Sequence, residues 1–154
     1  FIAAADLIPF RVSFAKKLGA NIALNPMKED FTKACIEGTS GRGVDIAVLA
    51  TPSVKPLHAA IETLRKGGTL LLFGAPEKGE KASLDFSRIF LREIRIITSY
   101  SASEVETNLA LRLMSSMVVR FSDLITHKFK LNEIGKAFKV ARDPTRSMKV
   151  VIIA

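Results

Sequence analysis

The stretch AADLIPFRVSFAKKLGANIALNP, residues 4–26, decides the fold. The apolar residues before Asp6 predict a short buried strand, and Pro9 is typical of the first turn of a helix, where its missing N–H costs no hydrogen bond. Apolar residues then recur at helical spacing until Gly19, a typical helix end. Residues 22–24 predict a second strand. A strand, a helix and a strand in succession indicate a parallel strand pair.

The same alternation continues downstream. Further strands are predicted at residues 45–49, 69–73 and 94–98, with helices at 29–37, 54–65 and 103–117. These strands are apolar throughout, which is typical of parallel strands covered by helices on both faces. The predicted fold class is therefore α/β, with a doubly wound parallel sheet.

The C-terminal tail, residues 124–153, has a different pattern of apolar and polar residues. Residues 124–130 alternate like an exposed strand, Asn132 is a candidate N-cap for a helix that runs to about Ala141, and residues 148–153 predict a closing strand.

Composition limits the function classes. Lys and Arg number 23 against 15 Asp and Glu, giving a net charge of +8, but the basic residues are spread along the chain. With one Tyr and no Trp for base stacking, a nucleic-acid-binding domain is a weak alternative, and no nucleic-acid partner is expected. No apolar run reaches the ~18 residues of a membrane span, so no membrane association is expected. A single cysteine fits a reducing cytoplasm.

Asp6 is the leading candidate for ligand binding. Ligands of doubly wound sheets bind at the carboxyl ends of the strands, and a carboxylate there accepts hydrogen bonds from a ribose diol and repels a 2′-phosphate. This favours NAD over NADP. An alternative stays open, because Asp is also favoured at helix N-caps. No GxGxxG motif occurs, and Gly38, Gly41 and Gly43 precede a strand rather than follow one.

No catalytic or metal constellation is visible. Cys35, His58 and His127 share no zinc-ligand spacing, and Tyr100 is followed four residues later by Glu104 rather than Lys. The residues themselves therefore predict no catalytic group and no metal site.

Three segments in order carry a family resemblance: residues 4–26, then TSGRGVDIAVLATPS at 39–53, then LRKGGTLLLFGAP at 64–76. With the tail at 123–152, they resemble the cofactor-binding Rossmann portion of zinc-type medium-chain alcohol and polyol dehydrogenases, close to sorbitol and threonine dehydrogenases. The resemblance implies a Rossmann sheet truncated at its N-terminus, without its first strand and glycine-rich turn. In the strand order 3-2-1-4-5-6 the missing strand is central, so a gap is expected between the strands at 1–5 and 45–49.

The resemblance also implies a domain division and a set of cofactor contacts. Residues 1–120 would form a partial NAD-binding domain, and residues 121–154 a return segment shared with a catalytic domain. The implied NAD contacts are Asp6, Arg11, Ala50, Thr51, Phe73, Gly74, Ala75, Thr98, Ser99 and Lys149. Asp6 and Arg11 would hold the adenosine ribose and adenine, and Ala50 and Thr51 would line the adenine side. The residues that would present backbone to the nicotinamide are Phe73, Gly74, Ala75, Thr98 and Ser99. Lys149 would face the pyrophosphate.

The function implied is hydride transfer between a secondary alcohol or polyol and NAD. Zinc is expected in the parent enzyme, with its ligands outside this chain, and these 154 residues alone are expected to be inactive. The resemblance further implies a small-molecule substrate, a cytoplasmic location and a homo-oligomer, dimer or tetramer, formed through residues 94–98. A non-enzymatic nucleotide-binding Rossmann module and a Rossmann-type methyltransferase are the alternatives.

Overall fold

The computed structural model describes residues 1–117 and 121–153. Within these ranges the strands are β1 (Ala3–Ala5), β2 (Ile22–Leu24), β3 (Val44–Leu49), β4 (Leu64–Leu72), β5 (Arg95–Thr98), β6 (Ile125–Lys130) and β7 (Lys149–Ile153). The helices are α1 (Pro9–Lys17), α2 (Phe31–Gly38), α3 (Leu57–Thr63), α4 (Phe86–Leu91), α5 (Glu104–Ser115) and α6 (Ile134–Ala141). Every predicted strand is present, and strands and helices alternate along the chain as far as α5.

All strand pairs described are parallel. β1 pairs with β2, β4 lies between β3 and β5, and β6 pairs with β7. The predicted parallel α/β class is confirmed. Within residues 1–117, β1 and β3 belong to different sheets and share no ladder hydrogen bonds, so the predicted separation of these strand groups is confirmed too.

Helix α1 begins as its sequence predicts. Pro9 occupies the first helical turn, and the preceding residue Ile8 has an extended backbone and no side-chain cap. Gly19 follows the helix with a φ of +103°, a conformation that glycine adopts without steric cost, and its N–H donates to the Lys16 carbonyl. This short connection leads the chain directly into β2.

The main hydrophobic core lies on one face of the β3–β4–β5 sheet. It contains Leu49, Leu57, Ile61, Leu64, Leu70 and Ile94. Leu70 is fully buried, and burying a leucine side chain stabilises a fold by about 1.5–3 kcal/mol. Helix α3 supplies two of these residues and so holds the sheet from that side.

The opposite face of β3 is open. Ile46 and Val48 pair in register with Thr69 and Leu71 on that face, and they are 61% and 55% exposed. These two side chains of β3 are therefore uncovered within the described residues. The alternation of buried and exposed residues along β3 gives it one packed and one uncovered side.

Three local expectations were incomplete or wrong. Helix α4 was not predicted, because its six residues are too few to show a helical period; Asp85 begins it by accepting hydrogen bonds from Ser87 N at 2.9 Å and Arg88 N at 3.3 Å. Asn132 does not cap α6: it lies in a 3₁₀ turn, and Glu133 precedes the helix without capping it. The predicted helix at 54–65 is shorter because β4 already begins at Leu64.

The tail packs as its own strand, helix and strand. Helix α6 lies against β6 and β7, with Ala137 buried. Ser147 is buried and its hydroxyl donates to the carbonyls of Val140 and Asp143 at 2.9 and 2.8 Å, which joins the end of α6 to β7. The predicted boundary at residues 120 and 121 falls beside residues 118–120, which lie outside the described residues.

Among the residues described, no helix combines the length and the apolar character needed to cross a bilayer.

Candidate functional site

The carboxyl ends of β3, β4 and β5 form one continuous edge. The Leu49 carbonyl accepts hydrogen bonds from the N–H groups of Phe73 and Gly74, at 3.1 and 2.9 Å. The Ser99 N–H donates to the Leu72 carbonyl at 3.1 Å. The structure thus brings together the segments that carry Ala50, Thr51, Phe73, Gly74, Ala75, Thr98 and Ser99. Their role as cofactor contacts stays a prediction.

The backbone of a neighbouring segment leaves no room for a side chain at Gly74. A Cβ atom at this position would lie 2.2 Å from the Thr51 carbonyl oxygen and 2.7 Å from the Thr51 nitrogen. Only glycine therefore allows the segment after β4 to pass so close to the segment after β3. The resemblance implied that Gly74 presents backbone to a nicotinamide, and the Thr51 backbone is a reason for glycine here that needs no ligand.

A second contact joins the loops beyond this edge. The Thr51 hydroxyl accepts from Ser53 N at 3.3 Å, and the Val54 N–H donates to the Glu80 carboxylate at 3.2 Å. Glu80 thereby holds the loop after β4 against the loop after β3. Glu80 was not predicted from the sequence, because no local pattern links it to a residue 26 positions earlier.

Asp6 lies directly after β1, at the carboxyl end of that strand. Its backbone N–H donates to the Leu24 carbonyl of β2 at 3.3 Å, and its Oδ1 accepts from Ile8 N at 2.9 Å. Its Oδ2 lies 3.7 Å from Arg11 Nη1, an ion pair longer than a hydrogen bond. Asp6 therefore orders the turn before α1 with one oxygen while the other retains acceptor capacity. The alternative that Asp6 is a helix N-cap is wrong, because Ile8 occupies the N-cap position of α1.

Arg11 faces Asp6 from the first turns of α1. The side chains of Arg11 and Asp6 are 39% and 33% exposed, yet Arg11 Nε is buried and has no hydrogen-bond partner among the described residues. An unpaired buried donor costs about 1–3 kcal/mol. The partly exposed Asp6 carboxylate suits a ligand that offers hydroxyl donors, as an adenosine ribose does.

Asn25 is a further residue that the sequence analysis missed at this edge. It follows β2 directly, and its side chain bonds to the backbone of Leu7 and of Met27, each at 2.9 Å. The strand end at Asn25-Pro26 was visible in the sequence, but the partner at Leu7, 18 positions away, was not.

Lys149 lies apart from these strand ends in the chain. It is the first residue of β7, pairs with Ile125 of β6, and has an exposed side chain. Its backbone carbonyl accepts from the Thr126 hydroxyl at 3.3 Å. Its assignment to the pyrophosphate stays a prediction.

The described residues do not fit a zinc site. No group of three or more His, Cys, Asp or Glu side chains within residues 1–117 and 121–153 lies close enough together to hold a metal ion. Cys35 is only 1% exposed, and burial raises the pKa of its thiol, which makes it a poor nucleophile.

Comparison with known protein families identifies the family of this chain. Residues 1–116 match the family described as zinc-binding dehydrogenase. The chain belongs to this family. The resemblance stated from the sequence is therefore confirmed.

Individual relatives of this zinc-binding dehydrogenase chain agree with the family match. The chain is 34% identical over 128 residues to D-arabitol-phosphate dehydrogenase of Enterococcus avium, an alignment covering 83% of this chain and 36% of that protein. It is 30% identical over 153 residues to L-arabinitol 4-dehydrogenase of Aureobasidium melanogenum, covering 96% and 41%.

Among solved structures, 2R,3R-butanediol dehydrogenase from Bacillus subtilis superposes with a TM-score of 0.83 at 27% identity, over 99% of this chain and 43% of that one. The chain thus spans 36–43% of the length of these relatives.

Proposed function

We propose that the protein is an NAD-dependent oxidoreductase that transfers hydride between a secondary alcohol or polyol and NAD, and that this chain forms its cofactor-binding part. The observation that carries the proposal is the Asp6 carboxylate at the carboxyl end of β1, with Oδ2 outside hydrogen-bond distance of Arg11. The family and the polyol dehydrogenases named above support the choice of substrate class.

The Asp6 carboxylate suits a ribose diol. An ionised carboxylate only accepts hydrogen bonds, and a diol offers two hydroxyl donors. A 2′-phosphate would bring negative charge against the carboxylate and meet repulsion. Arg11 limits this repulsion only in part, since its Nη1 already faces Asp6. We therefore propose NAD rather than NADP as the cofactor.

The edge formed by β3, β4 and β5 is proposed to hold the rest of the cofactor. Its residues in this role are Ala50, Thr51, Phe73, Gly74, Ala75, Thr98 and Ser99. Ala50, Phe73, Ala75, Thr98 and Ser99 are exposed, so a ligand can reach them. When bound, NAD supplies the hydride-accepting nicotinamide; the chain binds and orients it. Lys149 is proposed to neutralise pyrophosphate charge.

Further features of the whole protein belong to the same proposal. The zinc of the parent enzyme is assigned to residues outside this chain. Residues 1–120 and 121–154 are proposed as the two structural units, supported by the separate packing of β6, α6 and β7. The four exposed residues of β5, an edge strand of its sheet, support a homo-oligomer, and a cytoplasmic location is proposed with it.

Titration of the whole natural protein with NAD and NADP tests the proposal. Asp6→Asn keeps an acceptor for Ile8 N but removes the charge. We expect it to weaken NAD binding by about tenfold to a hundredfold, the worth of hydrogen bonds to a charged group, and to narrow the preference over NADP. Asp30→Asn is the matched control, because Asp30 caps α2 through a similar bond to Lys33 N at 2.9 Å. NAD affinity that survives Asp6→Asn unchanged contradicts the proposal, and binding of S-adenosylmethionine in place of NAD favours the methyltransferase alternative.

A further inference from the structure

The Asp6 loop, residues 6–8, has little apolar support of its own. Leu7 is 60% exposed, and the backbone bond from Asp6 N to Leu24 O is 3.3 Å long. The carboxylate is therefore carried by a short segment that needs another contact to hold its position. A misplacement of about 1 Å in a binding group can cost a large part of its effect.

Asn25 provides that contact. Its Nδ2 donates to the Leu7 carbonyl at 2.9 Å, and its Oδ1 accepts from Met27 N at 2.9 Å. The two partners fix the orientation of the amide, since the backbone N–H requires the oxygen and the carbonyl requires the NH₂ group. The backbone carbonyl of Asn25 accepts from Lys28 N and Glu29 N, so Asn25 is itself anchored in the turn after β2.

We propose that Asn25 is a positioning residue for recognition of the adenosine ribose, an inference that rests on the proposed function. Asn25 acts through the hydrogen bond from its Nδ2 to the Leu7 carbonyl, which is called the tether below. The tether fixes the position of the residue next to Asp6, and so fixes where the Asp6 carboxylate lies relative to the ends of β1 and β2. Loss of the tether lets the loop move away from the ribose hydroxyls while the carboxylate itself is retained.

The test compares NAD with the analogue that lacks the 2′-hydroxyl on the adenosine ribose, by calorimetric titration of the whole natural protein. In the unaltered protein the analogue binds more weakly, because Asp6 loses a hydroxyl partner. In Asn25→Ala we expect NAD affinity to fall by about three- to tenfold, the range of one hydrogen bond, while analogue affinity changes less. The ratio of the affinity for NAD to the affinity for the analogue therefore falls toward one. A loss of stability alone would not change this ratio.

A second variant and a matched control separate positioning from folding. Asn25→Asp keeps an acceptor for Met27 N but replaces the donor to Leu7 O with a carboxylate oxygen, which repels that carbonyl, so it removes the tether and we expect the same shrinkage. Asn21→Ala is the control: Asn21 Oδ1 accepts from Ile2 N at 2.8 Å and links the same two strands at their opposite end. It is expected to leave the ratio unchanged.

Each outcome decides the question. If both Asn25 variants keep the NAD-to-analogue affinity ratio of the unaltered protein, the inference is overturned while the proposed function stands. An equal affinity of the unaltered protein for NAD and the analogue removes the proposed function, and this inference with it. If Asn25→Ala does not fold, as judged by circular dichroism, Asn25→Asp decides alone.

Discussion

Replacing Gly74 by alanine tests the close approach of the two strand ends. The added Cβ would stand 2.2 Å from the carbonyl oxygen of Thr51 and 2.3 Å from its carbonyl carbon. Both are backbone atoms, so no side-chain rotation relieves the contact, and the two segments must separate by about 1 Å to reach van der Waals distance. The hydrogen bond from Gly74 N to Leu49 O, now 2.9 Å, lies on the same segment and lengthens with it.

The cost follows from two contributions. Overpacking in a fixed backbone environment costs about 1–3 kcal/mol. The weakened backbone hydrogen bond adds about 1 kcal/mol. We expect Gly74→Ala to lower the free energy of unfolding by about 2–4 kcal/mol, a fall in Tm of about 4–16 °C for a protein of this size or somewhat larger.

The assay is urea unfolding followed by circular dichroism, with amide hydrogen exchange at positions 73 and 74. Gly135→Ala is the matched control, because Gly135 lies in α6 and its added Cβ would meet no atom within 4 Å. That substitution is expected to stabilise the protein by about 0.5–1 kcal/mol. Equal stabilities of Gly74→Ala and the unaltered protein, with amide protection intact at both positions, would refute the reasoning.

Two further predictions concern the core and the response to acid. Leu70→Ala, at a fully buried position, should cost about 2–5 kcal/mol in urea unfolding, whereas Ile46→Ala on the open face of β3 should cost under about 1 kcal/mol; equal losses would mean that this face is covered. Hydrogen bonds from Arg42 and Arg65 lower the pKa of Asp45 from its ordinary 3.8, so the stability it contributes is present above about pH 4 and is lost as pH falls through the folded-state pKa. Asp45→Asn should therefore be less stable than the unaltered protein at pH 6, and this difference should begin to narrow as the pH is lowered below about 4; a difference independent of pH would contradict this origin.

Much of the fold could be predicted because its signals are local. Pro9 and Gly19 bracket α1 in the sequence and in the structure, and the continuous apolar run within β4 gives the fully buried Leu70. The signal fails where an element is short, as in α4, or where competing elements share a boundary, as at Leu64. There the hydrogen bonds of the sheet, rather than local preference, set the end of the helix.

The candidate site was predictable only in part. Asp6 was identified because a carboxylate after a strand is visible in the sequence, and Gly74 because the family resemblance implied it. Asn25 and Glu80 were not, because each acts on a backbone group 18 or 26 residues away. The steric reason for glycine at position 74, the Thr51 backbone, also lies 23 residues away and was not visible in the sequence.

The sequence alone determined the order of the strands and of every helix except α4, their parallel α/β class and the family, because periodicity and connectivity depend on neighbouring residues. Tertiary structure alone decided that Ile46 and Val48 face an open side, that Thr51 leaves no room for a side chain at Gly74, and that Asn25 holds the Asp6 loop. These facts depend on distances between residues far apart in the chain. Such distances are set only when strand pairing brings the ends of separate strands to a common edge.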